Sequence, residues 1–222
     1  MYQNVFNEIA PSWYNLRHHS IMTSELKSLA QRWKEGSLLN LGCAHGADFV
    51  PFKDNFQLTG VDIAPQMADY LQKYSHKFGF KAKFMCADME SLPFPDQSFD
   101  WVLAIACLHH LESVSGRSKA LSEMRRVLKI NGEAFITVWN KSQPRFADKC
   151  QEQIIPYEVK ASNGYKKVLR YYYLYEYDEI RLLAEDAGFT VLTIHPESGH
   201  AREASLSRNI CLLLKKKECE EK

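Results

Sequence analysis

Between residues 37 and 139 short apolar runs alternate with helix-like segments, and this rhythm restricts the possible folds more than any other feature of the chain. Strand-like runs fall at about 37–42, 57–63, 82–86, 99–107 and 134–139. Helix-like segments resume after Gly46, open at Pro65 and cover about 114–128, ahead of the turn Ile130-Asn131-Gly132. Strands joined by crossovers of this length pair in parallel, which predicts an α/β domain: a mostly parallel sheet with helices on both faces. Upstream, 20–35 reads as a helix with Ser20 as its cap and Ile21, Leu26, Leu29, Ala30 and Trp33 as its apolar stripe. Downstream, a helix at about 177–187 precedes runs at 189–195 and 209–214, a closing pair of strands separated by a loop. Residues 141–175, rich in Tyr, Lys and Pro, form no single clean element. They follow the fifth strand on the side where a parallel sheet presents its ligands, which makes them a candidate substrate cover.

Composition narrows the class. A chain of 222 residues, 45% hydrophobic and 25% charged, suits one domain spanning 1–222. A net charge of +1 supplies no global field toward nucleic acid or membrane, so any RNA contact rests on a local patch. The six cysteines (Cys43, Cys86, Cys107, Cys150, Cys211, Cys219) form no CxxC pair and no cluster with histidine. With no basic-then-apolar leader and no run of transmembrane length, the expectation is a cytoplasmic protein with no metal site and no membrane contact. The run Lys215-Lys216-Lys217 reads as a solvated tail.

Chemistry-bearing residues sit at the ends of the strand-like runs. In 38–49 an apolar run stops at Gly42, and glycines in the turn let backbone N–H groups approach a ligand. Asp62, sixteen residues after Gly46, is placed to accept both hydroxyls of a ribose, or else to cap the helix near Pro65. Asp88 follows the third strand, where a carboxylate accepts from an adenine amine while Met89 packs on the ring; the bland alternative is a solvated turn Asp beside a core Met. His109 and His110 follow the fourth. Neighbouring strand residues face opposite ways and no third ligand is evident, so these histidines are assigned to structure and to lining a pocket rather than to a metal.

The Gly turn, Asp62, Asp88, the run Leu92-Pro93-Phe94-Pro95-Asp96-Gln97-Ser98-Phe99-Asp100 and the run Arg126-Val127-Leu128-Lys129-Ile130-Asn131-Gly132 together resemble the class I S-adenosylmethionine-dependent methyltransferases over roughly 37–140. The resemblance implies a Rossmann-like, seven-stranded, mostly parallel sheet with an antiparallel last hairpin. It also implies S-adenosyl-L-methionine as cofactor, bound by Asn40, Gly42, Cys43, Ala44, Gly46, Asp62, Ile63, Asp88, Met89, Ala104 and His109. The flanks are similar to the tRNA wobble-uridine carboxymethyl methyltransferases: residues 5–17, 105–110, Arg117, Ile155-Pro156-Tyr157, 170–175 and Arg208-Asn209 carry that likeness. Members of that family methylate the carboxylate of a carboxymethyl group and, in eukaryotes and archaea, work with a small zinc-binding activator protein. The chain departs from the family pattern at Asn40, usually acidic, at Ala44 and Asn131, usually glycine, and at Tyr173 and Tyr157, usually His and Trp.

A carboxylate is already ionised at pH 7, so its methylation needs no general base, only positioning. Arg17 and Arg170 are the candidates for holding such an anion, with Tyr14, Tyr171 and Tyr173 as walls, and with 1–20 and 141–175 as the covering segments. Tyr171–Tyr175, with Lys166, Lys167 and Arg170, either meets RNA by stacking and phosphate contacts or is a strand whose aromatics alternate between core and solvent. Residues 82–86 are expected to form the outermost strand, whose unpaired backbone can accept a strand from the activator in a heterodimer. Two other functions fit the core motifs: methylation of a small acid or lipid-like acceptor, and a degenerate cofactor-binding module that regulates a partner, suggested by Asn40 and Ala44.

Overall fold

The computed structural model describes residues 2–161, 164–197 and 207–217; Cys219 and most of the loop expected between the last two strands lie outside them. Five strands alternate with helical connections: β1 (Gly36–Leu41), β2 (Phe56–Asp62), β3 (Ala82–Cys86), β4 (Phe99–Ile105) and β5 (Leu128–Trp139), with α3 (Met67–Phe78) after β2 and α4 (Val114–Val127) after β4. Two helices precede them, α1 (Tyr2–Leu16) and α2 (Thr23–Trp33). After β5 come a hairpin of β6 (Glu152–Ala161) and β7 (Gly164–Tyr173), then α5 (Tyr177–Asp186), β8 (Phe189–Pro196) and β9 (Asn209–Lys216).

The seven-stranded sheet runs β3-β2-β1-β4-β5-β9-β8. β3, β2, β1, β4 and β5 pair in parallel, β9 is antiparallel to β5, and β8 pairs antiparallel with β9. This is the Rossmann-like sheet and closing hairpin that the strand rhythm and the family resemblance predict. Buried clusters cover both faces. One holds Leu39, Leu41, Met124 and Ile180; the other holds Leu38, Leu26, Trp33 and Tyr74. Neighbouring Leu38 and Leu39 fall in different clusters because strand side chains alternate faces. Leu41 lies opposite both Val61 and Ala104, so β1, β2 and β4 end nearly level and open a shared floor at their carboxyl ends.

Several local expectations change. Residues 2–16 are a helix although nothing in the strand rhythm required one, and Pro11 lies inside it. The segment after Gly46 is a six-residue 3-10 helix, Ala47–Phe52, with Pro51 within it. α2 begins at Thr23, and the Ser20 hydroxyl accepts the Met22 N–H one residue outside it. β5 starts at Leu128 and passes through Asn131-Gly132 with a register shift against β4, where Asn131 adopts φ +65°. Lys215 and Lys216 belong to β9, and the Lys216 ammonium donates to the Leu128 carbonyl, so the tail begins only beyond them. Residues 141–151 are turns around a short 3-10 helix (Pro144–Phe146), but beyond them β6 and β7 pair over ten residues, and Pro156 is tolerated because a two-stranded ribbon has free edges.

α2 is pinned to the sheet by Glu133 of β5. Its carboxylate accepts from Arg32 Nε and Nη2 at 2.8 and 2.6 Å and from Trp33 Nε1 at 2.8 Å, holding its pKa below the usual range despite burial. Glu133→Ala leaves a buried indole N–H unpaired and is expected to cost about 2–3 kcal/mol, lowering the melting temperature by about 5–10 °C in a thermal scan.

Candidate functional site

A cavity of about 260 Å³ opens over the carboxyl ends of the parallel strands. Its floor comes from the strand ends: Gly42 and Ala44 after β1, Asp62 and Ile63 at β2, Asp88 and Met89 after β3, Ala106 and Cys107 after β4. Its cover comes from Trp13 of α1 and from Arg17 just after that helix, and from the hairpin, through Tyr157, Arg170 and Tyr172. The two covers touch. Ile9 of α1 packs with Val159 and Val168 of the hairpin, and Lys166 pairs with Glu8 at 2.9 Å.

The turn after β1 is built from left-handed residues: Gly42 at φ +63°, Ala44 at +45° and Gly46 at +85°. At Gly42 a Cβ would stand 2.6 Å from the Cys107 Cβ, so both conformation and space demand glycine there. Ala44 adopts the left-handed conformation that a glycine would occupy without strain, at a cost of roughly 1 kcal/mol. What holds it is Asp62. One carboxylate oxygen accepts the Ala44 N–H and the other the Ala64 N–H, each at 2.9 Å. Asp62 thus ties the first turn to the one after β2 while still lining the cavity, and it does not cap α3, whose N-cap Gln66 has no side-chain cap bond. Burial pushes its carboxyl up to about 6, against the pull of the Ala64, Ala44 and Ile63 amides.

Asp88 is exposed at the rim and accepts the Glu90 N–H at 2.9 Å, with Met89 packed on the core beside it. His109 is buried and stacked on Tyr172, and its Nδ1 accepts the Trp139 N–H at 3.3 Å; the His110 Nδ1 bonds the Tyr171 carbonyl at 2.9 Å. Both line the cavity. His45 stands edge-on between Tyr14 and Tyr74 and also lines the cavity.

Arg17 and Arg170 reach the cavity from opposite covers. The Arg170 guanidinium lies 4.6 Å from the Tyr157 ring centre and 5.1 Å from that of Tyr172, and Arg17 lies 5.0 Å from Trp13. The Nε of each is buried without a hydrogen bond, and neither forms an ion pair among the described residues. Desolvation lowers the pKa of both. Two charged, stacked and unneutralised guanidiniums in one cavity make an anion site. Arg208, which lines the same cavity, adds a third cation.

Six anticipated site residues stand elsewhere. Tyr173 faces away: its hydroxyl donates to Glu179 at 2.5 Å and the Arg117 guanidinium covers its ring at 3.8 Å. The reason is strand parity, since Arg170 and Tyr172 share one face of β7 while Tyr171 and Tyr173 share the other. The aromatic run therefore alternates, as its second reading held, and Tyr172 was the wall to choose. Tyr14 stacks on Tyr70 at 4.9 Å, outside the cavity lining. Asn40, Cys43, Gly46 and Ala104 are buried behind the lining rather than part of it; at Gly46 the Leu71 side chain fills the space a Cβ would need. Asp48 and Trp13 also line the cavity, although neither is among the expected site residues.

The buried imidazoles set the acid limit of the fold. His45 and His110 are pushed down to about 4 by desolvation, and burial likewise lowers His109 well below 6.5. An unfolded chain takes up these protons below pH 6.5 while the native one does not, so stability is lost as pH falls from 6.5 toward 4. Asp62 and Asp48, with raised pKa values, work oppositely below about pH 6, but two carboxyls do not offset three imidazoles. The melting temperature is expected to drop between pH 7 and 5, with roughly 2 kcal/mol lost for each of His45 and His110 at pH 5; a flat profile in a buffered thermal scan would contradict this.

The residues present fit S-adenosylmethionine. The strand-end turns present apolar walls at Ile63 and Met89, a rim carboxylate at Asp88 and the Asp62 carboxyl, while the glycine turn leaves backbone close to the cavity. A methyltransferase domain family profile matches residues 39–136. The chain is 30% identical over 167 residues to a protein of Encephalitozoon cuniculi named as a methyltransferase, covering 72% of each. It is 25% identical over 223 residues to the tRNA (carboxymethyluridine(34)-5-O)-methyltransferase of Schizosaccharomyces pombe, covering 90% of this chain and 91% of that one. A human relative is longer, and the match spans 32% of its length. Among solved structures, the CcbJ methyltransferase of Streptomyces caelestis superposes with a TM-score of 0.78 at 15% identity, over 96% of this chain and 98% of that one, a likeness of fold.

Proposed function

The chain belongs to the class I S-adenosylmethionine-dependent methyltransferases, and from that premise we propose that it forms the methyl ester of carboxymethyluridine at the tRNA wobble position. One observation carries the reading: Arg17 and Arg170 meet in the cavity with no ion-pair partner among the described residues, so an anionic acceptor group is what this site lacks. The name of the fission-yeast relative, which matches nearly the whole chain, supports a carboxymethyluridine as the bearer of that anion. Tyr157 and Tyr172 add aromatic faces on which a base can stack.

The cofactor supplies a methyl group on a sulfonium, and transfer to a carboxylate oxygen leaves no proton to remove. The protein's own work is then placement. Arg17, just after α1, and Arg170 from β7 grip the carboxylate from two sides, and the Tyr157 and Tyr172 rings pack against the Arg170 guanidinium. His45, His109 and His110 are kept neutral by burial and serve as walls. β3 is the outer edge of the sheet, with Lys83, Met85 and Cys86 exposed, and it is the edge to which a small zinc-binding activator would add a strand. Acting on tRNA, the enzyme would work in the cytoplasm.

The test is incubation with carboxymethyluridine-bearing tRNA and methyl-labelled cofactor, with and without the activator. The expected product is labelled RNA whose label is released by mild alkali, as an ester requires. No label in RNA under either condition, together with methylation of a small carboxylic acid, would favour the small-acceptor reading.

A further inference from the structure

Arg17 and Arg170 account for one anion, yet two further arginines stand beside them. Arg208, just before β9, is exposed and lines the cavity. Arg145, on the 3-10 helix Pro144–Phe146, lays its guanidinium 4.7 Å from the Trp139 ring centre and 4.4 Å from that of Phe146. Trp139 in turn lines the cavity and stacks on Tyr172 at 4.1 Å. Buried Gln143 clips the two arginines together although they are far apart in sequence. Its Nε2 donates to the Arg208 carbonyl at 3.3 Å, which also accepts the Asn140 N–H at 2.9 Å, and its own carbonyl accepts the Phe146 N–H at 2.8 Å. The Arg208 N–H donates to Glu197 Oε1 at 3.0 Å, and the Lys141 ammonium to the Phe146 carbonyl at 3.0 Å, so both backbones are fixed. Neither guanidinium forms an ion pair among the described residues. Desolvation and then the Arg208 charge lower the pKa of Arg145, and the same two causes lower that of Arg17. Cations gathered this closely repel one another until anions arrive, and one carboxylate does not neutralise four guanidiniums.

We propose that Arg145 and Arg208 form a second anion subsite at the cavity rim, which takes a backbone phosphate flanking the acceptor nucleoside while Arg17 and Arg170 hold its carboxylate. The inference rests on the tRNA reading, since a small carboxylic acid brings only the one anion. A planar fork suits a phosphodiester, whose two free oxygens accept side by side. Arg145 packs on Trp139, Trp139 on Tyr172, and Tyr172 on Arg170, so the two subsites lie no more than two stacked rings apart. A nucleotide spans that interval between a carboxylate on its base and a phosphate on its sugar. Phosphate contacts fix register without reading sequence, so Arg145 and Arg208 are positioning residues for the acceptor.

The test uses a stem-loop RNA bearing carboxymethyluridine at the wobble position, in which the linkage on either side of that nucleotide is made a neutral methylphosphonate in turn. Calorimetry reads binding to the protein saturated with S-adenosylhomocysteine, and label transfer reads methylation. One of the two neutral linkages is expected to weaken binding to the unaltered protein by about tenfold or more. Arg145→Ala/Arg208→Ala is expected to weaken the all-phosphate RNA by a similar factor, to bind both RNAs within about twofold of each other, and to keep its S-adenosylhomocysteine affinity. If neither neutral linkage matters, or if the losses from linkage and variant multiply, the subsite is wrong while methylated RNA leaves the tRNA reading standing. If the variant loses S-adenosylhomocysteine by the same factor, the anion is the cofactor's carboxylate and the assignment is overturned. An RNA neither bound nor methylated, with or without the activator, overturns the tRNA reading and this inference with it. Should the double variant fail to fold in a thermal scan, Arg208→Gln decides: a linkage effect that shrinks supports the subsite, and one that stays unchanged overturns it.

Discussion

Arg170→Ala is expected to lower single-turnover methylation of carboxymethyluridine tRNA by about 100-fold or more while leaving S-adenosylhomocysteine affinity within about twofold. The size follows from what the side chain gives up. A guanidinium gripping a carboxylate through two charge-assisted hydrogen bonds contributes about 1.5–3 kcal/mol for each, and misplacing the anion costs further rate. The separation of turnover from cofactor binding follows from position, because Arg170 enters from the hairpin whereas Gly42, Asp62 and Met89 enter from the strand ends. Arg17→Ala is expected to behave alike from the α1 side. Arg170→Lys keeps the charge but loses the planar fork lying against Tyr157 and Tyr172, so it should recover only a small part of the rate. Full activity in either alanine variant would remove that arginine from the anion site.

Four of the five parallel strands, β1, β2, β4 and β5, were legible because both faces of each are covered, which writes them as apolar runs ended by turn residues, whereas β3 is the exposed edge. Leu38-Leu39-Asn40-Leu41 and Val102-Leu103-Ala104-Ile105 are such runs, and both are buried in the sheet. The hairpin was not legible, for the same reason inverted. Its cavity face mixes Tyr157, Val168, Arg170 and Tyr172, while its outer face exposes Ile154 and Leu169, so hydrophobicity does not alternate with burial. Tyr173 was misassigned although parity could have corrected it: once Arg170 is taken to face a ligand, Tyr172 must and Tyr173 cannot. Ala44 and Asn131, read as departures from glycine, keep the left-handed backbone at φ +45° and +65°, so the turn shape survives both substitutions. Asp48 carried no signal, since a single acidic residue on a short 3-10 helix gains meaning only once that turn lines the cavity.

Asp62→Ala is expected to weaken S-adenosylhomocysteine by about 30-fold or more while changing global stability by no more than about 3 kcal/mol, because two large terms oppose one another. Removing the carboxylate strands the Ala44 and Ala64 N–H groups, at about 1–3 kcal/mol for each if they stay buried. Removing it also relieves a buried charge: a carboxyl raised from 3.8 to about 6 costs the folded state about 3 kcal/mol at neutral pH. The net on unfolding is therefore small. The cofactor meets only the first term, because with Ala44 released the left-handed turn relaxes toward ordinary backbone and the cavity floor moves. The sign with pH is checkable. In the unaltered protein, lowering the pH through 6 protonates Asp62, so cofactor affinity should fall between pH 7 and 5, and that fall should shrink in Asp62→Ala. Asp62→Asn retains one acceptor but turns an amide N–H toward one of the two backbone donors, and should fall between the two in affinity. Calorimetry beside thermal scans at pH 7 measures both terms; an Asp62→Ala variant that melts far lower yet binds the cofactor normally would mean that the carboxylate supports the fold and not the turn.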